Sequence, residues 1–175
     1  MHLILTIVLG LIPTTPMSNL PAPVKTTVIA EDKAIDPAMD MLGRFVGGTW
    51  RTAGEFVVEF KYEWRVPGKS IRGVGVIGKG SKQEAPSESI YGWDAEAKKV
   101  YYLDCHNHDT VYKGWVVVQD GKLLGDFSGL IGDKGDYRFE NVLSDSDNTM
   151  VGTLFGKDAS GKWMKLHSMT FKRIR

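Results

Sequence analysis

The chain has 175 residues, of which 42% are hydrophobic and 25% are charged, a composition typical of a single globular domain. Its 22 Lys and Arg residues nearly balance its 21 Asp and Glu residues, and a net charge of +1 argues against a surface built to bind nucleic acid or anionic lipid. The single cysteine, Cys105, excludes an intramolecular disulfide and a cysteine-rich zinc module, so an apolar core must stabilise the fold.

The first part of the chain has the pattern of a targeting segment followed by an extended leader. Leu3–Ile12 is an uncharged apolar run with the length of a signal-peptide core, about half of the ~20 residues that a membrane-spanning helix needs. We therefore predict a signal peptide over 1–18, a leader over 19–33, and a secreted or periplasmic protein without a membrane span. If translation starts at Met17, the alternative is a cytoplasmic protein.

The folded domain is predicted to span 34–175 and to begin with a short helix. Asp36 suits the N-cap position, and Pro37 suits the first helical position. Apolar residues then recur at the spacing of one helical face, at Met39, Leu42, Phe45 and Val46. The pair Gly47-Gly48 ends this pattern, so the predicted helix is short.

From Thr49 onward the hydrophobic pattern has a period of two. The clearest run, Glu55–Val66, alternates aromatic or aliphatic residues with charged ones. Such alternation gives a strand one dry face and one wet face, which is typical of an antiparallel sheet. Turn-forming residues separate ten runs, at about 48–53, 55–66, 70–79, 87–93, 99–105, 110–119, 123–131, 136–143, 149–157 and 162–174.

Ten sequential strands joined by short turns predict an all-β, up-and-down antiparallel barrel. Closure of the sheet into a barrel removes the two edges that would otherwise invite aggregation. Glycines inside the predicted strands, such as Gly73, Gly75 and Gly125, suit the bending that closure requires. Short strands at this spacing also suit a sandwich of two sheets, which is the alternative fold.

The entry to this sheet resembles a known superfamily. Gly48-Thr49-Trp50 follows the helix and precedes the strands, and it resembles the G-x-W motif of lipocalin-like (calycin) barrels. The resemblance implies that Trp50 lies at the closed end and that Arg173 of the last strand stacks across it as a barrel floor. Three segments make 38–174 similar to a bacterial lipocalin-like family of unknown function: Tyr91–Asp104, Gly114–Lys122 and Gly161–Arg173.

The inward face of the strands predicts a ligand cavity. Inward side chains fill small barrels, but ten strands enclose a wider space, so we predict a barrel that binds a small apolar or amphipathic molecule without catalysis. Tyr62 and His167 would orient the ligand, and Trp115 would join the wall only if Lys113 also faces inward. The predicted ligand-binding residues are Phe56, Phe60, Tyr62, Trp64, Trp163, His167, Met169 and Phe171.

Two other functions are alternatives. The chain also resembles the nitrobindin family of ten-stranded barrels, which has G-T-W near its start and binds haem through a histidine on its last strand. That resemblance implies a haem protein that acts on nitrogen oxides or peroxynitrite through His167, although Arg51–Gly54 replaces a Tyr-Pro-Thr-type segment of that family. The other alternative is an envelope protein whose outer face binds a partner protein.

The sequence offers few residues for other chemistry. His106 and His108 could contribute two metal ligands, whereas zinc or iron needs at least three protein ligands, so we predict no metal site. Cys105 has apolar neighbours on its own face, which predicts a buried and unreactive thiol. The sequence contains no catalytic-triad spacing, phosphate loop or dinucleotide-binding fingerprint, and this favours a protein that is not an enzyme and needs no cofactor.

Overall fold

The computed structural model describes a helix and a set of strands that account for most of the predicted domain. The predicted signal peptide (1–18), the predicted leader (19–33) and His108 lie outside the described residues. The residues that are described are 35–54, 56–79, 82–106 and 109–174.

The described residues form one helix and ten antiparallel strands that pair in sequence order, and β1 pairs with β10 to close a barrel. This result confirms the predicted all-β, up-and-down barrel with one short helix before it, and it excludes the two-sheet sandwich. The elements are α1 (Pro37–Gly43), β1 (Thr49–Thr52), β2 (Phe56–Val66), β3 (Ser70–Lys79), β4 (Lys82–Asp94), β5 (Lys99–His106), β6 (Thr110–Gln119), β7 (Lys122–Ile131), β8 (Asp136–Leu143), β9 (Thr149–Lys157) and β10 (Trp163–Ile174).

The largest difference in strand boundaries concerns β4. The sequence predicts a strand that begins near residue 87, whereas β4 begins at Lys82. The reason is backbone pairing, because β3 and β4 continue their ladder as far as the pair Lys79 and Lys82. The polar segment that starts β4 has no alternation of apolar residues that sequence reasoning could detect.

Helix α1 lies across one end of the barrel, which we call the floor. The Asp36 carboxylate caps the helix by accepting a hydrogen bond from the Ala38 backbone N–H at 2.8 Å. The helix contacts β3, β5, β6 and β7, and no helix within the described ranges is long and apolar enough to cross a membrane. Its apolar face joins the most deeply buried side chains of the core: Trp50, Phe45, Met39, Leu42, Ile71, Leu123, Val100 and Val116.

Two strand glycines let aromatic rings lean across neighbouring strands. A Cβ atom built at Gly75 would lie 2.3 Å from the ring of Phe60, its cross-strand partner. One built at Gly125 would lie 2.2 Å from the ring of its partner Phe139. Both separations are far below van der Waals contact, so any larger residue must displace the ring. The two glycines therefore allow Phe60 and Phe139 to lie over the inner face and line the interior.

Candidate functional site

Trp50 and Arg173 close the floor of the barrel. Trp50 is 0% exposed, and its indole N–H donates a hydrogen bond to the Phe45 carbonyl at 2.9 Å. The guanidinium carbon of Arg173 lies 4.5 Å from the centroid of the Trp50 ring, and the same guanidinium donates to the backbone carbonyl of Arg44. A ligand that enters the interior must therefore pass the opposite end of the barrel, which we call the mouth.

Above the floor, aromatic rings from six strands line the interior in a nearly continuous series. The centroids of neighbouring rings in this series are 5.1–6.3 Å apart, within the range of favourable aromatic contacts. These contacts fix the rings against one another, so the wall is apolar and preorganised. We call the series the aromatic belt: Phe171, Phe60, Tyr62, Tyr91, Tyr102, Phe127 and Phe139.

The aromatic belt surrounds a cavity of about 200 Å³, the central cavity. Polar groups also reach it, from Ser87 and Ser89 of β4, Asp104 and His106 of β5, and Asn141 of β8. Asp104 and His106 lie near the mouth end of β5, with Ser89 and Ser87 of β4 as their cross-strand partners, whereas Asn141 lies near the floor end of β8. The cavity thus combines aromatic walls with a few polar groups, which is the usual composition of a small-molecule site.

The carboxyl group of Asp104 is the most unusual feature of the central cavity. Asp104 is 8% exposed, and its cross-strand neighbours are the uncharged residues Ser89 on β4 and Tyr112 on β6. Among the described residues, no Lys, Arg or His forms an ion pair with it. Burial without a compensating cation raises the pKa of Asp104 from 3.8 to about 6. At neutral pH the cavity therefore contains a poorly solvated negative charge.

The other titratable groups of the central cavity stay neutral at that pH. Burial raises the pKa values of Tyr91 and Tyr102 well above the ordinary value of 10.0, and it also raises that of Tyr62. Burial lowers the pKa of His106, because it disfavours the imidazolium form. As a result, the charged group that the described residues place in this cavity at neutral pH is the carboxylate of Asp104.

Three predicted ligand-binding residues, Phe60, Tyr62 and Phe171, are brought together in the wall of the central cavity. Trp64 lies lower, at the floor, where a Cβ atom built at the last residue of α1 would be 2.8 Å from its ring. The side chain of Phe56 lies outside the described part of the structure. Phe60 and Trp64 thus lie on the same face of β2, but Phe60 lines the cavity and Trp64 packs against α1.

Two further predicted residues, His167 and Met169, line a smaller cavity of about 150 Å³. This space adjoins the central cavity, since four residues line both: Phe139, Asn141, Leu154 and Phe171. The His167 side chain is exposed. His167 is thus at the edge of the interior and not among the buried groups of the belt.

The structure does not place Trp163 with these residues. A bulge in β10 between Lys165 and His167 shifts the register by one residue. Odd-numbered residues before the bulge therefore face the opposite side of the sheet from odd-numbered residues after it. Trp163 lies on the outer face, with the Arg138 guanidinium carbon 4.8 Å and the Lys157 Nζ 5.0 Å from its ring centroid. Residue spacing alone does not reveal such a bulge.

Cys105 is exposed, so the prediction of a buried thiol is wrong. Its neighbours Asp104 and His106 both face the central cavity, and strand alternation therefore turns Cys105 outward. Trp115 also lies on the outer face, where its ring centroid is 5.3 Å from that of the half-exposed Tyr101. The apolar residues near Cys105 belong to an outer patch and not to the core.

The sequence analysis did not assign Asp104 to the ligand site. Strand alternation could have predicted its inward position, because Asp104 lies on the same face of β5 as the buried residues Val100 and Tyr102. His106 extends the same face to the end of the strand. Within the described residues, no three His, Cys, Asp or Glu side chains come close enough together to hold a metal ion.

Comparisons with known proteins identify the fold. No protein-family model matches the chain, and no curated protein sequence is significantly similar to it. A solved structure, described as the crystal structure of Rv2717c from M. tuberculosis, matches with a TM-score of 0.52 and 12% sequence identity, over 81% of this chain and 99% of that one. A likeness at this identity concerns the fold alone. This structural neighbour and the strand pairing together show a closed ten-stranded antiparallel β-barrel fold.

Proposed function

We propose that the protein binds a small amphipathic molecule in the central cavity and does not transform it. The observation that carries this proposal is the cavity of about 200 Å³ between the aromatic belt and the polar groups at Ser89 and Asp104. A dry cavity of about 150 Å³ holds one benzene molecule. By that measure, the central cavity suits a ligand of about seven to ten non-hydrogen atoms.

The distribution of groups around the cavity supports an amphipathic ligand over a purely apolar one. Rings such as Phe60 and Phe139 offer apolar contact, while Ser89 and Asp104 offer oriented polar contacts on another side. A carboxylate without a partner would lower the affinity for a ligand that is apolar throughout, because the ligand would displace its remaining water. A polar group on the ligand removes that cost.

The polar groups are not arranged for nucleophilic catalysis. A serine nucleophile needs a base within hydrogen-bonding reach. Ser89 lies directly across the sheet from Asp104, and Ser87 lies across from His106, yet in the described structure neither pair of side chains forms a hydrogen bond. This geometry supports binding without chemical conversion.

The binding proposal is tested by titrating p-cresol into protein labelled with ¹³C at the methionine methyl groups. Met150 lines the central cavity, and we expect its methyl resonance to shift with a dissociation constant of about 0.1–1 mM, a usual affinity for so small a ligand. The methyl resonance of Met41, which is buried on α1 at the floor, should not move.

Two matched variants on β9 complete this test. Leu154 lines the central cavity, and Leu154→Trp should weaken p-cresol binding by about tenfold or more because the larger side chain fills the space. Val151 is exposed on the outer face, and Val151→Trp should leave the affinity unchanged. A Met150 resonance that does not move, or equal affinities in the two variants, would contradict the proposal.

The geometry around His167 does not favour the haem alternative. His167 is exposed, and the cavity beside it measures about 150 Å³ and adjoins the central cavity of about 200 Å³. Pockets that bury a drug-sized ligand measure about 300–1,000 Å³, and haem is larger than such ligands. The residues around His167 therefore do not fit a haem, and this supports a protein that works without one.

Adding hemin to the purified protein tests this point. We expect wild-type protein and His167→Ala to give the same absorption spectrum, because no buried axial site is formed at His167. A Soret shift that wild type shows and His167→Ala lacks would revive the haem alternative.

A further inference from the structure

We propose that the ligand of the central cavity is a small organic ammonium ion, whose positive charge pairs with Asp104 and whose carbon substituents pack against the tyrosines of the aromatic belt. This inference rests on the binding function proposed above and narrows it to one chemical class of ligand.

The first argument is the charge of Asp104. A buried carboxylate is unfavourable unless a positive charge or several hydrogen bonds compensate it. The described ion pairs that involve aspartate lie elsewhere on the barrel, for example Asp126 with Arg138 and Asp136 with Lys157. Arg173 is inside the barrel at the floor, where it stacks on Trp50. The described chain thus leaves the charge of Asp104 for a ligand to neutralise.

The second argument is the kind of ring beside that charge. Tyr91 and Tyr102 are both buried with their centroids 5.1 Å apart, and the Tyr62 centroid is 6.3 Å from that of Tyr91. An alkylammonium ion is attracted to the face of an aromatic ring within about 6 Å of its centroid. One cation in the central cavity can therefore contact more than one of these rings and remain next to Asp104.

The third argument is selectivity against other amphipathic molecules. A carboxylate in a poorly solvated cavity repels an anionic head group, so fatty acids and similar anions are disfavoured as ligands. A neutral alcohol or phenol can donate a hydrogen bond to Asp104 but cannot neutralise it. A cation gains both the ion pair and the ring contacts. Its affinity should therefore exceed that of a neutral molecule with the same shape.

Choline and 3,3-dimethyl-1-butanol provide a direct test, because they have the same shape and differ in a quaternary nitrogen in place of a carbon. Titrations at pH 8 would follow the methyl resonance of Met150. We expect wild type to bind choline about tenfold or more tightly than the alcohol. Asp104→Asn should lose about tenfold or more in choline affinity and keep its affinity for the alcohol.

Asp126→Asn is the matched control, since Asp126 is an exposed carboxylate on the outer face of β7. It should bind choline as wild type does. Equal affinities of wild type for choline and the alcohol, or an unchanged choline affinity in Asp104→Asn, would overturn the ammonium inference. If p-cresol still binds in that case, the proposed binding function stands. If p-cresol, choline and the alcohol all fail to move Met150, both proposals fail.

Discussion

Replacing Asp104 by asparagine is expected to stabilise the ligand-free barrel at pH 8 by about 1–3 kcal/mol. The pKa of Asp104 is about 6 in the folded protein, compared with about 3.9 for an unperturbed aspartate in the unfolded chain. Between these two values the folded state binds more protons than the unfolded state, so its free energy of unfolding falls as the pH rises. The asparagine side chain has no such ionisation.

The measurement is urea denaturation of wild type and Asp104→Asn between pH 4 and pH 8. The stability advantage of the variant should grow as the pH rises from about 4 to about 6 and then stay constant, because Asp104 is then ionised in both states. Asp126→Asn should show no gain, because Asp126 is exposed and paired with Arg138. A variant that is less stable than wild type over the whole range would contradict the expectation.

A stability penalty at Asp104 and a binding role at Asp104 have the same physical origin. Removing a carboxylate from water costs free energy in the empty barrel, and that same carboxylate attracts a cation most strongly when water is excluded. Ligand binding should then return part of the stability, since a ligand that binds only the folded state raises the free energy of unfolding. At the same choline concentration, choline should therefore stabilise wild type more than it stabilises Asp104→Asn.

The barrel could be predicted from sequence because its determinants are local and repeated. Two patterns predict the number of strands and their antiparallel order. They are the period-two alternation of Glu55–Val66 and the turn residues between the later runs. The capping carboxylate at Asp36 and the following proline located α1. Each of these signals lies within a dozen residues of the element that it specifies.

The site was harder to predict because it depends on register and on space. Because of the bulge before His167, Trp163 lies on the outer face, and no residue type in this segment indicates that a bulge is present. Alternation along β2 places Phe60 and Trp64 on the same face. Phe60 lines the cavity and Trp64 packs against α1, and this difference depends on where α1 lies, which alternation does not predict. Alternation along β5 places Asp104 on the inward face of the strand. An inward position was nevertheless not expected for it, because charged side chains are rarely buried in a core.

Replacing Trp50 by alanine is expected to destabilise the barrel by about 3–5 kcal/mol, the usual cost of truncating a large buried aromatic side chain. Trp50 is fully buried, and its ring centroid is 5.5 Å from that of Phe45. Truncation would leave a void between α1 and the sheet, and it would remove the ring on which Arg173 stacks. It would also leave the Phe45 carbonyl without the indole N–H that now donates to it.

Urea denaturation of three variants separates these contributions. Trp50→Phe keeps an aromatic ring beneath Arg173 but loses the donor to Phe45, so it should cost about 1–3 kcal/mol, less than alanine. Trp115→Ala is the matched control, because Trp115 is 37% exposed on the outer face, and its loss should cost about 1 kcal/mol or less. Equal losses for Trp50→Ala and Trp115→Ala would mean that the Trp50 floor does not stabilise the closed end. A larger loss at Trp50 would show that closure of the floor stabilises the barrel around the cavity that contains Asp104.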